Sequence, residues 1–390
     1  MHPMVKPALR RAWRDLTTVQ FGIAPAHAVV LGPLDLATAG LLHRLDGTRG
    51  LPLLREEGHG LGLPEGHVDM LVERLAAAGL LDDTTGGGPA ADALRRRPGA
   101  LDRLRPDLAS LSLVDREPTG GIRRLAARSA MRVQVRGAGR VGAGIAAVLS
   151  GAAVGKVDVL EGGCVEPWDV SPGGLPAQSV GERRDAAARR LVRRCAPVRP
   201  PRRRRTGPAG SGEVPEDGQG VEPGLSLVVV APRDGLAAFA PDPAVVEPLV
   251  AAGTPHLFAG VIEGTGVVGP LVLPGVSGCA GCLDLGRAER DAGWLRMLAQ
   301  WRSGRASRAV PSCDLALATA VAGLAASHAL AFLDGALPAA VGTRWEAPLP
   351  GLDWRSERVR PHPDCSCGAA SRDEREDTSR ERASHETMAG

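Results

Sequence analysis

Lysine is almost absent from this sequence: Lys6 and Lys156 are the only two, and nearly every other cation is arginine. The bias is compositional, yet it excludes a lysine-based site anywhere after Lys156. Tyrosine is missing altogether, and only 4 phenylalanines occur. Net charge is nearly missing too, at +3 over 390 residues, which excludes a polyanionic partner held by bulk charge. The first residues, MHPMVKPALRRAW, have no apolar core of signal-peptide type. No Ser-His-Asp pattern stands out. The 7 cysteines make an odd number. Without an export signal they argue against a disulfide framework and for metal or thiol chemistry in a reducing, cytoplasmic setting. Long apolar runs are scarce. The most membrane-like, Leu315 to Leu333, is mostly alanine and carries Thr319, Ser327 and His328, so a buried core helix is expected rather than a span. What remains, at 44% hydrophobic and 23% charged, is an ordinary soluble globular composition with room for two or three domains.

The chain is organised around Met131 to Glu161. A short apolar strand (Val133, Val135) runs into Gly137-Ala-Gly139-Arg-Val-Gly142. An alanine-rich helix follows, then a second strand, Val157 to Leu160, ending at Glu161. A glycine turn between strand and helix, with an acidic residue about twenty positions on, is the pattern of a nucleotide-binding βαβ unit. Gly137 permits the tight turn, Gly139 lets backbone approach a phosphate, and Gly142 lets helix pack on strand. The helix N-terminus offers unpaired N–H groups to the anion, and Glu161 can accept from a ribose hydroxyl. A Rossmann-like scaffold that has lost its ligand would carry the same glycines.

Before this stretch, residues 1–83 read as a small separate domain. Thr18 to Ile23 and Ala28 to Leu31 alternate as a hairpin. Leu34 to Leu45, Leu51 to Glu57 and the segment opened by Pro64 have helical spacing. A hairpin with three short helices is the make-up of a winged helix. Its last helix is not basic, which disfavours DNA and favours a peptide laid along the hairpin edge; a mere packing domain is the plainer alternative. Residues 84–128, with no long periodic face, are expected to be a connector, helical in part over Ala90 to Arg96. The core domain is expected over 129–368, with a disordered tail over 369–390. After Glu161, alternating segments (helix Asp185 to Cys195, the apolar run Leu225 to Ala231, helix Asp242 to Ala252, strand His256 to Ile262) predict a doubly wound Rossmann-like α/β sheet. The arginine-led stretch Arg202 to Gly224 reads as a solvated loop rather than a nucleic-acid patch.

Cys279-Ala-Gly-Cys282 and Cys365-Ser-Cys367 give four thiols in two close pairs, the pattern of a closed, structural zinc site that pins the end of the chain to the core. Free buried thiols, or His362 in place of one cysteine, are the alternatives. Cys195 falls on an apolar helix face, and Cys313 is a weaker candidate for a thiol nucleophile.

Together, the glycine turn, the acidic strand end, the second βα unit and the CxxC…CxC pairs resemble the ThiF, MoeB and HesA adenylyltransferases of the ubiquitin-activating-like superfamily. His256-Leu to Gly266-Val-Val-Gly-Pro-Leu271, Cys279 to Leu285, Arg287 to Asp291 and Pro361 to Gly368 look like the cyclodehydratase-associated ThiF-like proteins of azole-modified peptide (bacteriocin) biosynthesis. The resemblance covers roughly 130–368. It implies ATP with Mg²⁺, structural Zn²⁺ and a peptide or small-protein substrate whose carboxylate is adenylylated. It also implies a possible cyclodehydratase partner, a homodimer in the cytoplasm, and neither nucleic acid nor membrane. Carried over by position, Gly137, Gly139 and Gly142 hold phosphate, Glu161 the ribose, Arg184 stands where the family has lysine, and Asp234 is the nearest match to the Mg²⁺-binding aspartate. Asp169 to Leu175 replaces the family's Asn-Leu-x-Arg-Gln stretch. These departures keep open a catalytically degenerate protein that only recruits a leader peptide. A nicotinamide-dependent oxidoreductase uses the same glycines but explains neither the cysteines nor the downstream motifs.

Overall fold

The computed structural model describes residues 1–197, 224–303 and 311–370. The loop expected over 202–224 and the tail expected over 369–390 fall almost wholly outside the described residues. The chain divides into two compact units, Met1–Ser129 and Ala130–Gly390.

The first unit begins with strands β1 (Pro3–Val5), β2 (Arg11–Trp13), β3 (Val19–Phe21) and β4 (Val29–Leu31), followed by helices α1 (Leu36–Leu42), α2 (Leu51–Gly60) and α3 (His67–Ala77). β2, β3 and β4 form an antiparallel sheet, and β1 pairs with β5 (Leu81–Asp83). The expected hairpin is β3–β4, with Val19 opposite Leu31 and Phe21 opposite Val29. Its inward residues Val19, Phe21 and Leu31 meet Leu41, Leu54, Leu71 and Leu75 from the three helices in one core, as their 3.6-residue spacing requires. Asp35 caps α1 by accepting the Thr38 N–H.

The segment expected as a connector over 84–128 carries three helices, α4 (Gly88–Arg95), where helix was expected over Ala90 to Arg96, α5 (Pro98–Val114) and α6 (Gly120–Arg128). The buried face of α5 is thin, namely Ala100, Leu104, Leu111 and Ser112, and Pro106 interrupts it. Its hydrophobic period is therefore diluted, although Pro98 in the first turn suits a helix start. These helices are tied to the winged-helix-like part. The Lys6 ammonium, 1% exposed, donates to the Asp115 carbonyl at 2.8 Å, and the Thr119 N–H donates to Asp82 at 2.8 Å.

The second unit is built on seven strands: β6 (Arg132–Arg136), β7 (Lys156–Leu160), β8 (Leu227–Val230), β9 (His256–Ile262), β10 (Thr265–Val272), β11 (Thr343–Pro348) and β12 (Arg355–Arg358), in the order β12-β11-β10-β9-β8-β6-β7. β7, β6, β8 and β9 are parallel, as the alternating pattern predicts. The other three strands extend the sheet antiparallel. The switch comes at Glu263-Gly264, both at positive φ. A two-residue turn of that kind returns the chain beside β9 and permits only an antiparallel partner.

Between the strands run α7 (Arg140–Gly151), α8 (Arg184–Cys195), α9 (Gly235–Phe239), α10 (Pro243–Ala251), α11 (Ala280–Arg290), α12 (Trp294–Arg302) and α13 (Leu315–Leu333). Side chains of β8 alternate between the two faces. Leu227 and Val229 join the core with residues of α7, α8 and α13, while Val228 and Val230 join Val246, Leu249 and Leu283 on the other face. Coverage on both faces is why β8 reads as a continuous apolar run. Among the described residues, α13 alone is long and apolar enough to cross a membrane. One of its faces (Leu317, Ala318, Val321, Ala322, Ala325, Ala329) is buried against the sheet and α7, and the alanines allow that close approach.

Candidate functional site

Two places in the second unit concentrate chemistry: the crevice at the ends of the parallel strands, and the cysteine cluster on the face of the sheet that α10 and α11 cover.

The crevice lies where the strand order reverses, between β6 and β8, the place at which an open α/β sheet receives ligands. The glycine turn forms its floor. Gly137 stands at φ +128, and a Cβ there would come 1.8 Å from the Ala231 carbonyl at the end of β8. Only glycine meets both demands. A Cβ on Gly142 would come 2.4 Å from the Gly137 carbonyl, so helix and turn are in backbone contact. Glu161 is joined to the turn, its Oε2 accepting from the Ala138 N–H at 3.3 Å, and it does not itself line the cavity beside the turn. Glycine turn and acidic strand end, separate in sequence, are thus one structure.

The cavity above this floor is lined by Gly139, Arg140, Gly142, Trp168, Asp169, Arg233 and Cys313, among others. Among the described residues, Asp169 is the carboxylate that lines it, and Arg140 and Arg233 are the cations. Arg184 is close by but buried and committed. Its Nε donates to Asp169 Oδ2 at 3.0 Å, its Nη2 to Glu166 at 3.0 Å and its Nη1 to the Gly162 carbonyl at 2.7 Å. Arg233 bonds the same two acids, with Nε to Asp169 Oδ1 at 2.7 Å and Nη2 to Glu166. Two arginines and two carboxylates therefore form one network across the loop that follows β7. Asp234 is exposed and caps α9, accepting the Leu236 N–H at 3.0 Å; it does not line the cavity. Burial pushes the Cys313 thiol up, with Asp314 adding to the rise and Arg140 opposing it, which disfavours a thiolate nucleophile.

Of the residues singled out in the sequence, the structure brings together Gly137, Gly139, Gly142 and Glu161, places Arg184 behind the cavity wall and leaves Asp234 at a helix cap. Sequence reasoning missed Arg140, Trp168, Asp169 and Arg233. A signal existed for two of them. Arg140 lies inside the glycine motif, and Arg233 directly follows the central strand, where an α/β crevice is built.

The thiols of Cys279, Cys282, Cys365 and Cys367 all lie within 4.8 Å of one another. Cys279 and Cys282 are 3.8 Å apart, Cys279 and Cys365 3.6 Å, and Cys282 and Cys367 3.5 Å. A tetrahedron with Zn–S bonds of about 2.3 Å has edges of about 3.8 Å, so the donor set fits zinc. Gly281 makes the close approach possible, since a Cβ there would lie 3.0 Å from the Cys365 sulfur. His362 does not take a cysteine's place. Its Nε2 meets Glu289 at 2.9 Å, its Nδ1 accepts from the Asp364 N–H at 3.1 Å, and its backbone N–H donates to the Cys282 sulfur at 3.3 Å, the supporting contact expected around such a thiolate.

Comparison with known proteins agrees with this fold. The ThiF family profile matches residues 118–369. Among solved structures, E. coli MccB with MccA is similar at a TM-score of 0.64 and 14% identity, covering 94% of this chain and 99% of that one. E. coli MccB with ATP is similar at 0.63 and 14%, with the same coverage. PaaA is similar at 0.62 and 16%, covering 92% of this chain and 100% of that one. No curated protein matches the chain in sequence.

Proposed function

Because this chain belongs to the ThiF family, we propose that it binds ATP in the crevice between β6 and β8 and transfers the adenylyl group to a carboxylate of a peptide. The observation that carries the reading is the glycine floor, whose backbone contacts to the end of β8 leave Gly139 and the N-terminus of α7 facing an open cavity. In the proposed reaction a carboxylate oxygen attacks the α-phosphorus, the bond from that phosphorus to the bridging oxygen breaks, and pyrophosphate leaves. The protein's part is positioning and charge. The glycine turn and the N–H groups of α7 hold phosphate. Glu161, engaged with Ala138 through Oε2, offers its other oxygen to the ribose. Arg184 holds the loop over the site, and Asp234 is the nearest carboxylate past β8 for a hydrated Mg²⁺. Zinc on the four cysteines braces the fold.

A peptide substrate and a place in modified-peptide biosynthesis are supported by the MccB structures, one of which is the microcin C7 biosynthetic enzyme MccB in complex with N-formylated MccA. The open edges of the β2–β3–β4 sheet suit strand addition by a leader segment. A homodimer, a cytoplasmic setting and a cyclodehydratase partner complete this reading. One observation favours the recruiter alternative: Arg184 is already saturated by protein partners. Incubation with ATP, Mg²⁺ and candidate peptides bearing a free C-terminal carboxylate separates the two. Adenylyl transfer gives pyrophosphate and a peptide heavier by one adenylyl group; recruitment gives peptide binding alone.

A further inference from the structure

The family places a cation on the phosphates, and here the residue in that position is turned away from the cavity. We propose that Arg233, assisted by Arg140, is the cation that holds the triphosphate. The inference rests on the nucleotide reading of the crevice. Three observations carry it. First, among the described residues Arg140 and Arg233 are the cations lining the cavity, whereas Arg184 does not line it. Second, Arg233 lies over the phosphate-facing glycine: a Cβ on Gly139 would come 2.9 Å from the Arg233 Cγ. Its aliphatic stem therefore packs beside Gly139 in the cavity wall, which puts the guanidinium next to the glycine floor. Third, the two arginines differ in how tightly they are held. The Arg184 side chain is 8% exposed and makes three contacts, while that of Arg233 is 24% exposed and binds only the acids that Arg184 also binds. When Arg233 leaves, Asp169 and Glu166 keep a partner.

Arg140 completes the pair. It is the first residue of α7, its Nη1 donates to the Cys313 carbonyl at 2.6 Å, and its Nε is buried with no partner. An anion in the crevice would receive a forked contact from Arg233 together with the helix N–H groups and this unsatisfied donor. Arg233 thus alternates between its carboxylates and the nucleotide. Empty, the site is neutralised internally; filled, the phosphates take the guanidinium from Asp169 and Glu166. The missing lysine is replaced from a different strand end rather than at its own position.

Titration calorimetry of the full-length protein with ATP, AMP and adenosine tests this. The wild-type chain should bind ATP more tightly than adenosine. Arg233→Ala should cut ATP affinity about tenfold to a hundredfold, the scale of one charge-assisted contact, and leave adenosine affinity unchanged. Arg233→Lys, which keeps the charge, should retain much of the preference and guards against a merely unfolded variant. Arg184→Lys should change the melting temperature more than the ratio of ATP to adenosine affinity. An unchanged ATP preference in folded Arg233→Ala overturns the assignment while leaving the nucleotide reading intact. A wild-type chain that binds none of the three ligands overturns both.

Discussion

The Arg184 guanidinium and the Asp169 carboxylate form a buried ion pair, Nε to Oδ2 at 3.0 Å, with side chains 8% and 3% exposed. Asp169 shares its other oxygen with Arg233. One acid thus ties the loop after β7 to α8 and to the end of β8. Removing it leaves Arg184 with only Glu166 and the Gly162 carbonyl, so Asp169→Ala should destabilise the second unit by about 1–3 kcal/mol. Denaturant melts of the full chain check this. Arg184→Lys should lose the forked geometry and the Gly162 contact, and so also destabilise, despite conserving charge.

The glycines separate fold from binding. Gly137→Ala places a Cβ in the Ala231 carbonyl and adds positive-φ strain; a cost of at least about 1–3 kcal/mol is expected, seen as a lower melting point. At Gly139 a Cβ meets only the flexible Arg233 side chain. Gly139→Val should therefore fold and lose ATP binding.

The cysteine cluster should carry about one zinc per chain, measured by elemental analysis. Cys279→Ser with Cys282→Ser should release it and lower the melting temperature, since structural zinc contributes folding free energy. Each kcal/mol lost is worth about 2–4 °C in a unit of this size. Gly281→Val should weaken zinc binding with every thiol still present, because its side chain would crowd Cys365. Metal-free protein with unchanged melting contradicts the assignment.

Acidification should destabilise the second unit. Burial lowers the pKa of His256 from its usual 6.5, with Arg136 adding to the effect and the Thr254 carbonyl opposing it; burial lowers that of His328 likewise. The unfolded chain takes up these protons as pH falls through about 6.5 while the folded chain resists. The stability is complete above that value and is lost as pH falls toward the lowered folded-state values. Melting curves between neutral and mildly acidic pH should show the decline, with a slope of up to about 1.4 kcal/mol per pH unit for each group. In His256→Gln the slope should be shallower.

Much of the site was legible because its determinants are local. The glycine turn declares itself through spacing. β8 shows as an apolar run because both faces are covered, and thiols in close pairs have few uses other than metal. What the sequence hid is set by distant partners. β1 and β5 are three-residue strands that pair across most of the first unit, with Val5 opposite Leu81. The helix α5 buries so thin a face that its period fades. Arg184 matched the family by position, yet Asp169 and Glu166 hold it away from the cavity, and only the fold brings Arg233 over Gly139.

The most direct test is exchange of labelled pyrophosphate into ATP by the full-length protein, with Mg²⁺ and a candidate peptide that it binds. Exchange should appear only with peptide present and vanish in Gly139→Val. In Arg233→Ala it should slow by about 10²–10³, the scale of losing one electrostatic contact to the transition state. ATP and peptide both bound by the wild-type chain, with no exchange, would contradict adenylyl transfer and leave a protein that only recruits its peptide.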